Sequence, residues 1–385
     1  MDEVKSRVLS GAGFGFFQTM FMAFALLVPT MYFSSLDISI VVYAFLLSIG
    51  DVFSFIMKPI LGALTDRHGE RRFLLFGGLA FIFCLFLVGQ TTDIFLITIF
   101  KIISGVASAL VFVTIIIYSL RYVKDEPENK IGIFNGLSNL GWIVGLLIPG
   151  MFVDSFGISP AFYLILVVGI IWVVFMFKFA RKYESGESAK PSFAFVKRIW
   201  KFILLKTMDL AMFSAFIFFF TRYALKDLGL PGSTVSFIVI AEVLLFSGTN
   251  FLIGRVSNRR IRKYWLPLAI ILHLGAATAM VFGTEISHYY IVGMLIGAAG
   301  GFVDIWMYSH ISENFGYLEK GKVLGTLGWS HDLSTIIGAQ VPILFIAFGF
   351  GTFTALYVFP VIMAITYIFM KLFKRRGYSG YYSYL

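Results

Sequence analysis

The chain has 385 residues, of which 59% are hydrophobic and only 14% are charged. A soluble domain keeps about a quarter of its residues charged, so this composition excludes an ordinary soluble protein. A membrane-spanning helix needs about 20 mostly apolar residues, so most of the chain can lie in a bilayer.

Twelve apolar windows of spanning length follow one another along the chain. None alternates with a period of two, so a β-barrel is not expected. The first window is too long for a cleaved signal peptide and is interpreted as a helix. In the seventh, Lys206 and Asp209 interrupt the start. The windows lie at roughly 8–33, 38–62, 73–91, 95–118, 132–153, 160–179, 202–224, 233–254, 264–283, 288–310, 323–348 and 353–373.

The basic residues predict the orientation. When both termini are placed in the cytoplasm, all but three of the 31 Lys and Arg residues fall on the cytoplasmic side; the exceptions are Lys101, Arg222 and Lys226. This bias predicts a multi-pass protein of the plasma membrane with both termini inside. It also accounts for the net charge of +10 without a nucleic-acid partner.

The longest polar stretch, residues 181–200, is expected to be a cytoplasmic linker, since Gly186, Ser188 and Pro191 interrupt it. It separates a predicted N-terminal six-helix bundle, residues 1–180, from a C-terminal one, residues 201–385. Shifting the first half by about 192 residues places Gly62 on Gly254, Leu64 on Val256, Asp66 on Asn258 and Arg67 on Arg259. Such parallel repeats are typical of transporters.

A loop between the second and third windows has a dense pattern of glycine, aspartate and arginine. It contains Gly62, Leu64, Asp66, Arg67, Gly69, Arg71 and Arg72. This pattern resembles the signature loop of the major facilitator superfamily. A weaker resemblance lies in the fourth window, at Lys101, Ser104 and Gly105. In the fifth, Gly141, Gly145 and Gly150 match the glycines of the antiporter subgroup, whereas the proline is shifted to 149. The resemblance implies an all-α membrane fold of two six-helix bundles that work by alternating access.

The loop is predicted to act as a conformational switch. Gly62 and Gly69 permit a tight turn, and the resemblance implies that Asp66 faces a helix N-terminus of the other half, where the dipole favours a negative charge. Arg67, Arg71 and Arg72 can pair with carboxylates or lipid phosphates. The alternative is that these arginines only set the topology.

Four ionisable residues inside the spanning windows are candidates for proton coupling. Asp51, Glu242 and Asp332 come out near the midplane, and His331 adjoins Asp332. Charges at that depth are costly and mark function by default. The alternative is that each forms a fixed ion pair or a hydrogen bond between helices.

The resemblance implies that helices one, four, seven and ten line a central cavity. Gln18, Lys101, Asp304 and Tyr308 are therefore its predicted polar lining. Lys101 could instead extend its ammonium toward the membrane surface from a packing stripe. His273, on the ninth helix, is expected to be a structural hydrogen-bonding residue.

The sequence contains no catalytic or phosphate-binding motif and no metal-ligand cluster. We therefore expect no enzymatic activity, no cofactor and no bound metal. The predicted function is secondary active transport of a small organic solute, coupled to protons, with efflux by antiport favoured. A proton symporter for an organic anion or a sugar-like solute is the alternative, and a non-transporting membrane sensor is the rival from another class. The expected partners are the solute, protons and membrane lipids, and the expected state is a monomer.

Overall fold

The computed structural model describes residues 2–68, 70–123, 127–180, 193–254, 259–314 and 326–374. Within these ranges all regular elements are helical. Twelve helices are long and apolar enough to cross a membrane. The predicted all-α membrane fold with twelve spans is confirmed, and the chain is a multi-pass membrane protein.

Six spanning helices precede the linker: α1 (Asp2–Ser35), α2 (Ile40–His68), α3 (Glu70–Val88), α4 (Ile94–Val123), α5 (Pro127–Phe156) and α6 (Ile158–Ala180). Six follow it: α7 (Phe193–Lys226), α8 (Gly232–Gly254), α9 (Trp265–Phe282), α10 (Ile286–Asn314), α11 (Trp329–Ala347) and α12 (Val358–Lys374). A four-residue helix, Arg259–Arg262, precedes α9, and a 3₁₀ helix, Thr352–Tyr357, precedes α12.

Short turns join the helices at what we call the outer end, following the predicted orientation: residues 36–39, 89–93, 157, 227–231 and 283–285. Gly157 has φ +85° and Gly229 has φ +61°. Residues that carry a side chain rarely adopt this left-handed backbone conformation. Gly157 therefore allows α5 to reverse directly into α6, and Gly229 allows the chain to turn from α7 into α8.

The chain forms two compact units. The first comprises residues 1–190 and 220–240, and the second comprises residues 191–219 and 241–385. The outer parts of α7 and α8 therefore belong to the first unit, although they follow the linker in sequence. The predicted division of the sequence into bundles of residues 1–180 and 201–385, joined by a linker at 181–200, stays a prediction.

In each unit, one glycine lets two helices make direct backbone contact. In the first, a Cβ on Gly105 of α4 would lie 2.0 Å from the carbonyl oxygen of Gly50 in α2. In the second, a Cβ on Gly297 of α10 would lie 2.0 Å from the carbonyl oxygen of Glu242 in α8. The two crossings are related by the same offset of about 192 residues that the sequence repeat predicts. Small residues at such crossings let membrane helices pack closely without a hydrophobic driving force.

Candidate functional site

A buried ionic cluster lies in the second unit, between α7 and α10. The Lys206 Nζ lies 2.9 Å from Asp209 Oδ2 and 2.7 Å from Asp304 Oδ1. The side chains are 12% exposed for Lys206, 4% for Asp209 and 11% for Asp304. One ammonium therefore bridges two carboxylates inside the membrane-spanning part of the protein, where unpaired charge is expensive.

Two more titratable residues extend the cluster onto α8 and α9. His273 is fully buried, and its Nε2 lies 3.3 Å from Asp209 Oδ1. Glu242 is buried and lies within electrostatic reach of Asp209 and Lys206. We use "ionic cluster" for these five residues, Lys206, Asp209, Glu242, His273 and Asp304. They come from four helices, so only the folded second unit brings them together.

Local helix geometry explains how α7 and α10 present these groups. Lys206 and Asp209 are three residues apart, so they lie on one face of α7. On α10, a Cβ on Gly300 would lie 3.5 Å from Asp209 Oδ1. This is an ordinary van der Waals distance, so the backbone of α10 at Gly300 lies directly beside the Asp209 carboxylate.

Tyr308, predicted to line the cavity, lies next to the ionic cluster. It is 48% exposed and lies one helical turn after Asp304, with which it interacts electrostatically. Exposure falls from Tyr308 through Asp304 and Lys206 to Asp209 and His273. Asp209 and His273 are therefore the most deeply buried members of the ionic cluster.

Two oppositely charged residues, predicted for different roles, interact electrostatically in the first unit. Lys101 on α4 interacts electrostatically with Asp51 on α2. The Lys101 chain runs across Gly50, where a Cβ would lie 3.5 Å from its Cε. The structure thus brings together Lys101, predicted to line the cavity, and Asp51, predicted to couple protons.

Gln18 takes part in a helix-helix hydrogen bond. Its Oε1 accepts a hydrogen bond of 2.8 Å from Trp172 Nε1 of α6, and both residues are buried. Trp172 also stacks on Phe21, with ring centroids 4.4 Å apart. The side-chain oxygen of Gln18 therefore holds α1 against α6. That Gln18 also lines a substrate cavity stays a prediction.

His331 and Asp332 occupy the first turn of α11. Asp332 is buried, whereas His331 is exposed. The neighbouring Ser330 donates a hydrogen bond of 3.3 Å to the Ile203 carbonyl oxygen, which places this turn against α7 three residues before Lys206. Their role in proton coupling stays a prediction.

The predicted switch loop is described in part. Gly62, Asp66 and Arg67 belong to the last turns of α2, but their side chains and the whole of Gly69 lie outside the described residues. Arg71 and Arg72 begin α3, and the Arg71 guanidinium lies 3.9 Å from the centre of the Phe177 ring on α6. The predicted role of Asp66 in a conformational switch stays a proposal.

Sequence reasoning missed three members of the ionic cluster. The charge bias predicts that Lys206, near the start of the window at 202–224, is a cytoplasmic basic residue, whereas in the structure it is buried and paired with Asp304. From the sequence, Asp209 is only an interruption of that window. His273 was expected to be structural, and its contact with Asp209 could not be read from either helix alone. The available signal was the spacing of Lys206 and Asp209 on one helical face.

The ionic cluster is confined to one half of the repeat. At the offset of about 192 residues, its positions correspond to Phe14, Phe17, Gly50, Phe81 and Phe112. Phe81 packs edge-on against Phe21, and the Phe112 ring lies 3.8 Å below the Lys58 Nζ. The first half therefore has apolar residues where the second has ionisable ones.

Twelve spanning helices, a repeat in the sequence and charged residues buried between helices define a membrane transporter. The family model "Major Facilitator Superfamily" matches residues 9–225, and the chain belongs to this superfamily. It is therefore a transporter of small molecules rather than an enzyme.

Known relatives agree with this assignment. The chain is 21% identical over 320 residues to the class H tetracycline resistance protein of Pasteurella multocida, covering 79% of this chain and 78% of that protein. It is 22% identical over 283 residues to multidrug resistance protein 2 of Bacillus subtilis (strain 168), covering 68% and 69% of the two chains. The crystal structure of the nucleoside transporter NupG superposes with a TM-score of 0.73 at 14% identity, covering 96% of this chain and 99% of that one. This last likeness shows the fold.

Proposed function

We propose that this chain is a proton-coupled secondary transporter that exports a small organic solute by antiport. The observation that carries the proposal is the composition of the ionic cluster. Three carboxylates, Asp209, Glu242 and Asp304, surround one lysine. If all three were ionised and His273 were neutral, the cluster would carry two uncompensated negative charges.

Uncompensated charge inside a membrane protein is avoided, because desolvation of an unpaired ion costs several kcal/mol. A cluster with more carboxylates than cations lowers this cost when it binds a proton. It releases that proton when another cation or a rearrangement of Lys206 balances the charge. A proton that is bound in one state and released in the other is what coupling requires.

Glu242 is the proposed proton carrier. Lys206 contacts Asp209 and Asp304 directly at 2.9 Å and 2.7 Å, so these two carboxylates already share a cation. Glu242 interacts with the same lysine while lying close to the negative charge of Asp209. Protonation of Glu242 therefore relieves its repulsion with Asp209 and leaves both ion pairs of Lys206 in place.

The solute class follows from the relatives and from the charge of the cluster. The two relatives above are named for resistance to tetracycline and to multiple drugs, which supports export of amphipathic organic compounds. An anionic solute would need Lys101, but Asp51 already faces that lysine. Symport of an organic anion or sugar-like solute is therefore the second candidate. We also propose that the transporter works as a monomer with both termini in the cytoplasm.

The test uses purified protein in liposomes with an imposed pH gradient and ethidium, a fluorescent organic cation, as the probe. The parent protein is expected to move ethidium against its gradient while protons flow the opposite way. Glu242→Gln should lose the proton-driven movement but keep exchange of ethidium down its gradient, because the solute path is intact. Glu285→Gln is the matched control, because it makes the same chemical change at a residue that is exposed at the outer end.

Three outcomes would contradict parts of this proposal. Pumping by Glu242→Gln at the parent rate would remove Glu242 as the carrier. Uptake of a carboxylate probe together with protons would favour symport. Absence of transport for a broad panel of solutes, with or without the pH gradient, would favour a non-transporting membrane sensor.

A further inference from the structure

Asp154, near the C-terminal end of α5, is joined to the start of a helix far away in sequence. Its Oδ1 accepts a hydrogen bond of 2.6 Å from the backbone N–H of Gly232, and its Oδ2 accepts one of 2.9 Å from Ser233. Gly232 and Ser233 are the first two residues of α8. All of these residues belong to the first unit.

The chemistry of this contact is that of a cap supplied by another helix. The first N–H groups of a helix have no partner within it, and the helix dipole favours a negative charge there. Residues that cap a helix normally lie at its own start. Asp154 instead comes from a helix 78 residues earlier in the chain, so its contact ties α5 to α8.

Glycines allow this close approach. A Cβ on Gly150 would lie 2.1 Å from Ser236 Oγ and 2.7 Å from the Gly232 carbonyl oxygen. Any side chain at position 150 would therefore push α8 away and lengthen both hydrogen bonds of Asp154. Gly150 and Asp154 are four residues apart, so they lie on the same face of α5.

An independent contact joins α7 to the turn between α1 and α2. Arg222 donates a hydrogen bond of 2.8 Å from its terminal guanidinium nitrogen to the Ile38 carbonyl oxygen. Its guanidinium also lies 4.9 Å from the centre of the buried Tyr43 ring. Arg222 is one of three basic residues that depart from the charge bias of the sequence, and this contact gives a reason for its position at the outer end.

We infer that Asp154 and Arg222 form an outer clamp, which holds the outer ends of α8 and α7 in the first unit and must open during each transport cycle. Both contacts join side-chain charges to backbone groups at the ends of helices. Water can replace either partner when the clamp opens, so the closed and open states can differ little in free energy. Asp154 and Arg222 are thus positioning residues that act on the conformational step rather than on the solute. The inference rests on the proposed function only in that the protein transports a solute; it does not require that transport be coupled to protons.

The test measures how often the clamp opens. All variants carry Cys84→Ser, which removes the single cysteine, and Ser236→Cys as a reporter. Ser236 is fully buried in α8 against Gly150, so a maleimide reaches this position only when the outer ends separate. Purified protein in nanodiscs exposes both faces, so the readout does not depend on orientation.

Asp154→Asn and Arg222→Gln are each expected to raise the alkylation rate of the reporter by about fivefold to thirtyfold, the change in populations that follows from loss of one cap or one charged hydrogen bond. Asp93→Asn is the matched control. Asp93 also caps a helix at the outer end, through a bond of 2.8 Å to the Phe95 N–H, but that helix is its own α4. Its replacement should leave the reporter rate unchanged.

A second reporter separates clamp opening from general loosening. Ser330→Cys replaces a fully buried serine of α11 in the second unit. This position should stay protected in all variants if only the clamp has weakened. Equal alkylation of the Ser236→Cys reporter in the parent, Asp154→Asn and Arg222→Gln would overturn the inference. Equal acceleration at both reporters would also overturn it, because the effect would then be a loss of folding stability.

Discussion

Lys206→Met removes the positive charge of the ionic cluster while keeping a long side chain that can fill the same space. At an effective dielectric constant of about 20, a charge pair at 2.7 Å or 2.9 Å interacts by about 6 kcal/mol before desolvation is counted. Removing one partner of a buried pair is measured to destabilise by about 3–5 kcal/mol, because the remaining charge is left uncompensated. Since Lys206 is only 12% exposed, we expect a loss within that range.

The measurement is thermal unfolding of the purified protein in detergent, followed by tryptophan fluorescence. Lys226→Met is the control, since Lys226 lies on the same helix and pairs with the exposed Asp37 at 3.8 Å. Exposed ion pairs are worth about 0–1 kcal/mol, so this variant should melt close to the parent.

The double variant Lys206→Met/Asp304→Asn makes the prediction specific. Removing the positive and one negative charge together should recover much of the stability lost by Lys206→Met alone, since the coupling between contacting residues is typically 0.5–3 kcal/mol. A Lys206→Met protein as stable as Lys226→Met, or a double variant as weak as the single one, would refute the charge argument on which the proposed coupling mechanism rests.

Three further predictions concern the first unit and the switch loop. Gly105→Ala should lower the yield of folded protein, because the new Cβ would lie 2.0 Å from the Gly50 carbonyl oxygen and overpacking costs about 1–3 kcal/mol; size-exclusion profiles check this. Lys101→Met should lower the melting temperature, and adding Asp51→Asn should restore it, because the pair loses both charges together. Asp66→Asn should slow ethidium transport while leaving the folded yield unchanged, and parent-like transport would refute the predicted switch role of Asp66.

The sequence alone predicts the spanning helices well, because each span is a local property of about 20 apolar residues. It also predicts the repeat, whose offset reappears in the crossings at Gly105 and Gly297. The ends of helices are less certain. The apolar window containing Lys206 begins near residue 202, but the helix starts at Phe193 and carries polar residues along its first turns.

The candidate site is harder to predict because it depends on contacts between distant segments. Lys206 and Asp304 are nearly a hundred residues apart, and nothing local distinguishes a lysine that pairs inside the membrane from one that stays at its surface. Gln18 shows the reverse case. As a polar residue among glycines it suggests a cavity, yet its oxygen accepts the indole N–H of Trp172, 154 residues away.

The shared helix crossing has a consequence for how such a protein can diversify after duplication. At Gly50 and at Glu242 the contact with the neighbouring glycine is made by a main-chain oxygen, so the architecture does not depend on which side chain occupies that position. One copy could therefore acquire an acidic group while its ancestral helix register stayed intact. The second copy has Glu242 at this crossing, whereas the first copy has glycine on both helices, at Gly50 and Gly105.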